Sequence, residues 1–240
     1  MNKDFIKFGK GPKNVLLLHG WGFNTEASWQ EFMNINLENQ DFTYYFFKFP
    51  GLDGISLGDI DSTYKFAEYF LSKIKHYKLK FDFILAHSFG CKVSTIMCAE
   101  LKFKPKKIVF LGAAGLEYKL TWFESFKKKL SSKFSFFKKI KFLKGVLSSS
   151  DYKKVQGTGM AQVFKNVIKE NLAESFKKIN IPTLLIYGTK DSYTPVYIGE
   201  GINSLIKKSK LRIIKGANHG LHIHYTEMIN NLAQEFYSSN

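Results

Sequence analysis

The stretch Phe81-Asp-Phe-Ile-Leu-Ala-His-Ser-Phe-Gly-Cys-Lys-Val-Ser-Thr95 constrains the fold more than any other part of the chain. Residues 81–86 form a short apolar run bounded by charge, the pattern of a buried strand. Residues 89–101 place Val93, Ile96, Met97 and Leu101 at helical spacing. Between them, Ala86-His87-Ser88-Phe89-Gly90 must turn strand into helix with almost no loop. A serine on such a turn is pushed out above the sheet edge, beside a backbone N–H of the new helix. The helix N-terminus also favours negative charge developing there. The position suits a nucleophile.

The rest of the chain repeats the alternation. Residues 4–8, 15–18, 44–49, 108–111, 183–187 and 211–214 read as strands, several of them ending at Gly or Pro turns such as Pro50-Gly51. Residues 29–37, 197–206 and 225–237 read as helices, and Ser62 as the N-cap of a further helix reaching Lys75. Strands alternating with helices predict an α/β protein with a parallel sheet and helices on both faces. The 240 residues fit one domain, with no internal repeat and no flexible linker. After Gly115 the alternation stops. Residues 116–180 carry no strand signal and read as helices separated by Gly145 and Ser148-Ser-Ser150, a long insertion of the kind that forms a lid. The expected division is a core of residues 1–115 and 181–240 with a helical, lysine-rich cap at 116–180.

A serine needs a base to become nucleophilic, and the base needs a third group to fix its tautomer. In an open parallel sheet these belong in loops at the carboxyl ends of strands. Asp191, in Gly188-Thr-Lys-Asp-Ser-Tyr-Thr-Pro195, stands just past the strand at 183–187. His219, in Gly216-Ala-Asn-His-Gly220, follows the last strand. Asp191 alone also fits a helix cap. His219, His222 and His224 form an H-x-x-H-x-H run, but no Cys, Asp or Glu close by completes a zinc set, so no metal is expected. His222 and His224 are expected at the surface or behind the site. His87 is read as shaping the surroundings of Ser88 rather than as its base.

Several of these motifs resemble those of the α/β-hydrolases. The A-H-S-F-G turn resembles the family's G-x-S-x-G, with Ala86 as a small substitute where strand and helix pack closely. His19-Gly20-Trp21-Gly22 resembles the H-G loop, Phe49-Pro-Gly-Leu-Asp-Gly-Ile-Ser56 the P-G-x-G-x-S loop, and the Asp191 and His219 loops the G-x-x-D-x-x-x-P and G-x-x-H patterns. The resemblance implies an α/β-hydrolase fold with a helical cap inserted after the sixth strand. It implies a catalytic triad of Ser88, Asp191 and His219, and oxyanion donors at the backbone N–H groups of Trp21 and Phe89. Ester hydrolysis through an acyl-enzyme, without a cofactor, would follow.

Charge bears on the partner. The net charge is +16, and Arg212 is the sole arginine. AT-rich coding explains abundant lysine but not its concentration: residues 116–180 hold fifteen lysines against five acids, a net +10. Residues 125–145 interleave lysine with phenylalanine. Such a cap fits an amphipathic helix pair on an acidic membrane surface, a docking face for an acidic acyl-carrier protein, or a solvated lid face. Residues 15–29 resemble the biotin-pathway esterases that cleave pimeloyl-acyl-carrier-protein methyl ester, which implies the carrier-docking role. The H-G-W-G loop is also similar to broader carboxylesterases, lipid esterases and menaquinone-pathway lyases, and the same triad serves carbon–carbon bond hydrolases. A non-catalytic ligand-binding protein on this fold is the remaining alternative. Nucleic acid is not expected as a partner, because base reading leans on arginine. The sparse cysteines (Cys91 and Cys98), an N-terminus without an apolar h-region and the absence of a membrane-spanning run predict a soluble, cytoplasmic setting.

Overall fold

Residues 15–18, 84–86 and 108–111 have no measurable surface exposure, because helices cover both faces of the strands that carry them. The computed structural model describes residues 2–22, 25–116 and 159–239. Its strands are β1 (Phe5–Gly9), β2 (Lys13–Leu18), β3 (Phe42–Phe47), β4 (Phe83–His87), β5 (Lys107–Leu111), β6 (Thr183–Gly188) and β7 (Ser209–Ile214). They form one sheet in the order β1-β3-β2-β4-β5-β6-β7. Only β1 runs antiparallel, against β3.

Strand alternation sorts the core into two layers. Leu16, Leu18, Ile84, Ala86, Ile108, Phe110, Leu185 and Tyr187 face one side. There they meet α2 (Thr63–His76), α3 (Phe89–Ala99), α4 (Gly159–Val167), α5 (Ala173–Lys178) and α6 (Val196–Leu205) through Phe66, Phe70, Val93, Met97, Val163, Phe176 and Ile202. Val15, Leu17, Phe83, Leu85, Val109, Leu111, Leu184 and Ile186 face the other side. Here α1 (Thr25–Ile35) supplies Trp29, Phe32 and Met33, and α8 (Thr226–Ser238) supplies Ile229, Ala233 and Tyr237; a short helix, α7 (Leu221–His224), precedes α8. Each Val, Leu, Ile, Phe or Met among them contributes about 1.5–3 kcal/mol when fully buried. Ser62 caps α2 as expected, its Oγ accepting the Lys65 N–H at 3.4 Å.

The topology positions the site. β2 pairs in parallel with β3 on one side and β4 on the other, so the chain order reverses between β2 and β4. A crevice opens beyond the carboxyl ends of strands at such a switch point. Leu18 stands beside Ala86, and His87 beside Leu111, so these ends lie level. Gly90, in the first turn of α3, closes the packing beneath. A Cβ there would come within 2.2 Å of the Leu18 carbonyl oxygen and 2.6 Å of that of His19. Gly90→Ala is therefore expected to destabilise the fold by about 3 kcal/mol. Urea unfolding would register this as a lower midpoint with an unchanged slope; a wild-type midpoint would mean that α3 can back away from β2.

The chain enters the insertion from β5, the fifth strand in chain order rather than the sixth, because a single antiparallel strand, β1, precedes β2. Most of the expected cap, residues 117–158, lies outside the described residues. Of the remainder, α4 and α5 pack into the core through Met160, Val163, Val167 and Phe176. The buried Lys92 of α3 fastens α4: its Nζ donates to the carbonyls of Val167 and Glu170 and lies 3.5 Å from the Glu170 carboxylate. Burial pushes its pKa down to about 8, against the raising effect of Glu170.

Candidate active site

Ser88 is the single residue between β4 and α3, with φ 49° and ψ −109°. A non-glycine residue held there costs on the order of 1–3 kcal/mol and persists only where its surroundings enforce it. They do so: the Ser88 N–H donates to the Leu111 carbonyl at 2.9 Å, and its carbonyl accepts the Cys91 N–H at 3.1 Å. The strained turn leaves the side chain facing His219, whose Nε2 is 2.9 Å from Ser88 Oγ.

His219 and Asp191 sit in two loops that are laced together. The Lys190 N–H donates to the Ala217 carbonyl, the Thr189 N–H to the Ile214 carbonyl, and the Gly216 N–H to Thr189 Oγ1. Within this frame His219 Nδ1 is 2.7 Å from Asp191 Oδ2. The Asp191 Oδ1 accepts the N–H groups of Tyr193 and Thr194, each at 2.8 Å. The side chain of Asp191 has no exposure, and that of His219 is one-fifth exposed. Burial raises the Asp191 pKa, but the hydrogen bond and charge of His219, with the Thr194 donors, hold the carboxyl below its ordinary value.

Sequence reasoning missed Thr194. Its Oγ1 lies 2.8 Å from Asp191 Oδ2, 3.1 Å from the Gly112 carbonyl and 3.2 Å from His219 Nδ1. Gly112 makes room for this group: with φ 50°, a Cβ there would sit 3.2–3.3 Å from Thr194 Oγ1, Asp191 Oδ2 and His219 Cε1. The exposed Tyr193 ring lies 5.1 Å from the His219 ring.

The His19–Gly20 loop passes directly over Ser88. A Cβ on Gly20 would fall 3.2 Å from Ser88 Cβ and 2.7 Å from His87 Nδ1, so only glycine fits. Trp21 follows, its indole packed 5.2 Å from the Phe89 ring and 5.0 Å from the Phe164 ring of α4. Phe89 opens α3, where backbone N–H groups lack intrahelical partners. His19 is fully buried and paired with Asp53 from the loop after β3, Nε2 to Oδ2 at 2.7 Å. That carboxylate was not singled out in the sequence.

Two more histidines lie behind the site. His87 Nε2 donates to the His219 carbonyl at 3.0 Å, bracing the His219 loop and not reaching Ser88. His222 is buried rather than at the surface, stacked 4.3 Å from the Trp29 ring; His224 is exposed. Burial drives the His87 imidazole well below its usual pKa and that of His222 down to about 3, so both are neutral. Among the described residues, no group of three His, Cys, Asp or Glu side chains is arranged to hold a metal ion.

Residues 15–231 match the model of the alpha/beta hydrolase family. The chain belongs to this family. The human serine hydrolase BPHL is 27% identical over 74 residues, which is 30% of this chain and 25% of that protein. A hydrolase from Oleispira antarctica superposes with a TM-score of 0.76 at 21% identity, covering 99% of this chain and 96% of its own. The esterase EaEST from Exiguobacterium antarcticum (TM-score 0.71, 18% identity, 98% and 95% covered) and a bromoperoxidase from Bacillus anthracis (0.70, 20%, 98% and 95%) share the fold. Among the described residues, no helix is long and apolar enough to cross a membrane.

Proposed function

We propose that this alpha/beta hydrolase cleaves carboxylic esters through an acyl-enzyme on Ser88. The observation that carries the proposal is the unbroken hydrogen-bond chain from Ser88 Oγ through His219 to Asp191. His219 Nε2 takes the hydroxyl proton as Ser88 Oγ attacks the acyl carbon, and the carbonyl electron pair moves onto oxygen. The N–H groups of Trp21 and Phe89 hold that oxyanion. Asp191 stabilises the imidazolium and keeps the proton on Nδ1. Collapse expels the alcohol, which takes the proton from Nε2. Water then repeats the sequence on the acyl-enzyme and releases the carboxylic acid. Thr194 holds the Asp191 carboxylate in register with the ring.

The rings of Trp21, Phe89 and Phe164 flank the oxyanion loop and suit an apolar acyl chain of short to medium length. The lysine-rich residues 125–145 support an acidic carrier as the bearer of that chain, with pimeloyl-acyl-carrier-protein methyl ester as the candidate substrate. The test compares this ester with a free methyl ester of equal chain length, at low and high salt. The carrier-bound ester is expected to show a kcat/KM roughly tenfold or more higher at low salt, an advantage that salt erases. Equal rates unmoved by salt would leave a general carboxylesterase with a solvated cap.

A further inference from the structure

His19 is a buried titratable group that the ester mechanism leaves unused, and both of its ring nitrogens face acceptors. Nδ1 lies 2.7 Å from the carbonyl oxygen of Gly20, and Nε2 lies 2.7 Å from Asp53 Oδ2. A carbonyl oxygen only accepts, so Nδ1 carries a proton. The second nitrogen is protonated too if Asp53 is ionised. Asp53 is placed to be so: its Oδ2 also accepts the Phe49 N–H and its Oδ1 the Thr25 hydroxyl, each at 2.9 Å. These two donors favour its ionised form. His19 has no exposure and Asp53 little, and the ring is stacked 5.1 Å from Phe46 and packed 4.5 Å from Phe49.

The carbonyl that His19 holds belongs to the Gly20–Trp21 peptide. A trans peptide is planar, with its C=O and N–H pointing in opposite directions. Pinning the Gly20 oxygen toward His19 therefore aims the Trp21 N–H away from His19. A flipped peptide would present an oxygen where the donor belongs. Gly20 has no side chain of its own to oppose such a flip.

We propose that His19 and Asp53 form a charged clamp, an imidazolium–carboxylate pair that sets the orientation of the Gly20–Trp21 peptide and so keeps the oxyanion hole formed. Both are positioning residues. The proposal rests on Ser88 and the Trp21 N–H acting as described above, so its test needs one readout that is independent of turnover.

That readout is the long-range proton–nitrogen spectrum of the histidine side chains at neutral pH, with the His19 signal assigned by its absence in His19→Gln. Wild-type His19 is expected to show two protonated ring nitrogens, whereas His87 and His222 show one each. Asp53→Asn, nearly the same size, should convert His19 to a neutral ring. The same variant should lower kcat on p-nitrophenyl acetate by about 10-fold with KM changed less than about 3-fold. His19→Gln should lower kcat by about 10²-fold, the size of a lost oxyanion donor. A neutral His19 in the wild type would overturn the clamp, as would an Asp53→Asn enzyme whose kcat is unchanged. Wild-type protein inert toward esters would overturn the ester assignment instead, and the ring spectrum would still decide whether the charged pair exists.

Discussion

Ser88→Ala is expected to lower kcat on p-nitrophenyl acetate by about 10⁵-fold or more, with the fold intact. Oγ is the atom that would bond to the acyl carbon, and its hydrogen-bond partner is His219 Nε2. The turn itself is held by the Ser88 backbone, through Leu111 and Cys91, so alanine loses chemistry and little stability. The residual rate would come from the oxyanion donors and from binding, together about 10³-fold over water. A fluorophosphonate probe should add its mass to Ser88 in the wild type and not label Ser88→Ala. Full activity in the variant would move the nucleophile elsewhere. A wild type that neither turns over nor labels would make this a ligand-binding member of the family, with an intact triad that does no chemistry.

The main elements were legible because buried parallel strands must be short apolar runs, punctuated where the chain leaves the sheet. Boundary errors have local causes. The first of these is at β3, expected over 44–49 but spanning Phe42–Phe47: the Phe49 N–H leaves the sheet for the Asp53 carboxylate. β4 starts at Phe83 rather than Phe81 because Asp82 is engaged with Asn14, backbone to backbone and carboxylate to N–H. Ser88, Asp191 and His219 could be placed because each lies in a loop just past a strand, and the strand ends of a parallel sheet gather such loops.

What stayed hidden depends on contacts between loops. Thr194 reads as an ordinary turn residue until Gly112, 82 positions away, accepts its hydroxyl. Asp53 lies in a glycine-rich loop with no strand of its own, and only the β2–β3 pairing brings that loop back beneath His19. The sequence leaves His222 either at the surface or behind the site, and stacking on Trp29 of α1 decides for the latter. Packing partners distant in sequence leave no spacing to recognise. The oxyanion loop is consequently the part of the site where residue types gave the place, and the side chains holding that place became visible only in three dimensions.

Asp191→Asn is the second large effect expected, a fall in kcat of about 10⁴-fold with the geometry nearly unchanged. The two oxygens of Asp191 have different neighbours. Oδ1 accepts two backbone N–H groups, from Tyr193 and Thr194, so in the variant the amide oxygen must stay there. The amide nitrogen then takes the place of Oδ2, 2.7 Å from His219 Nδ1, and donates to it. His219 must answer with a lone pair on Nδ1, which moves its proton to Nε2. An Nε2–H facing Ser88 cannot remove the hydroxyl proton, so the base is present in the wrong tautomer. Thr194 gives no rescue, since its hydroxyl is free to donate to Gly112 instead. The acid response changes as well. The depressed Asp191 pKa contributes stability that is present above its unfolded value near 3.8 and lost as pH falls through the lower folded value. The asparagine side chain cannot titrate, so the variant should lose less stability than the wild type across that acid range in urea titrations. Histidine side-chain spectra would show the His219 proton on Nε2 in the variant and on Nδ1 in the wild type. A kcat within tenfold of wild type would mean that His219 needs no partner to hold its tautomer, and the role given to Asp191 would fall.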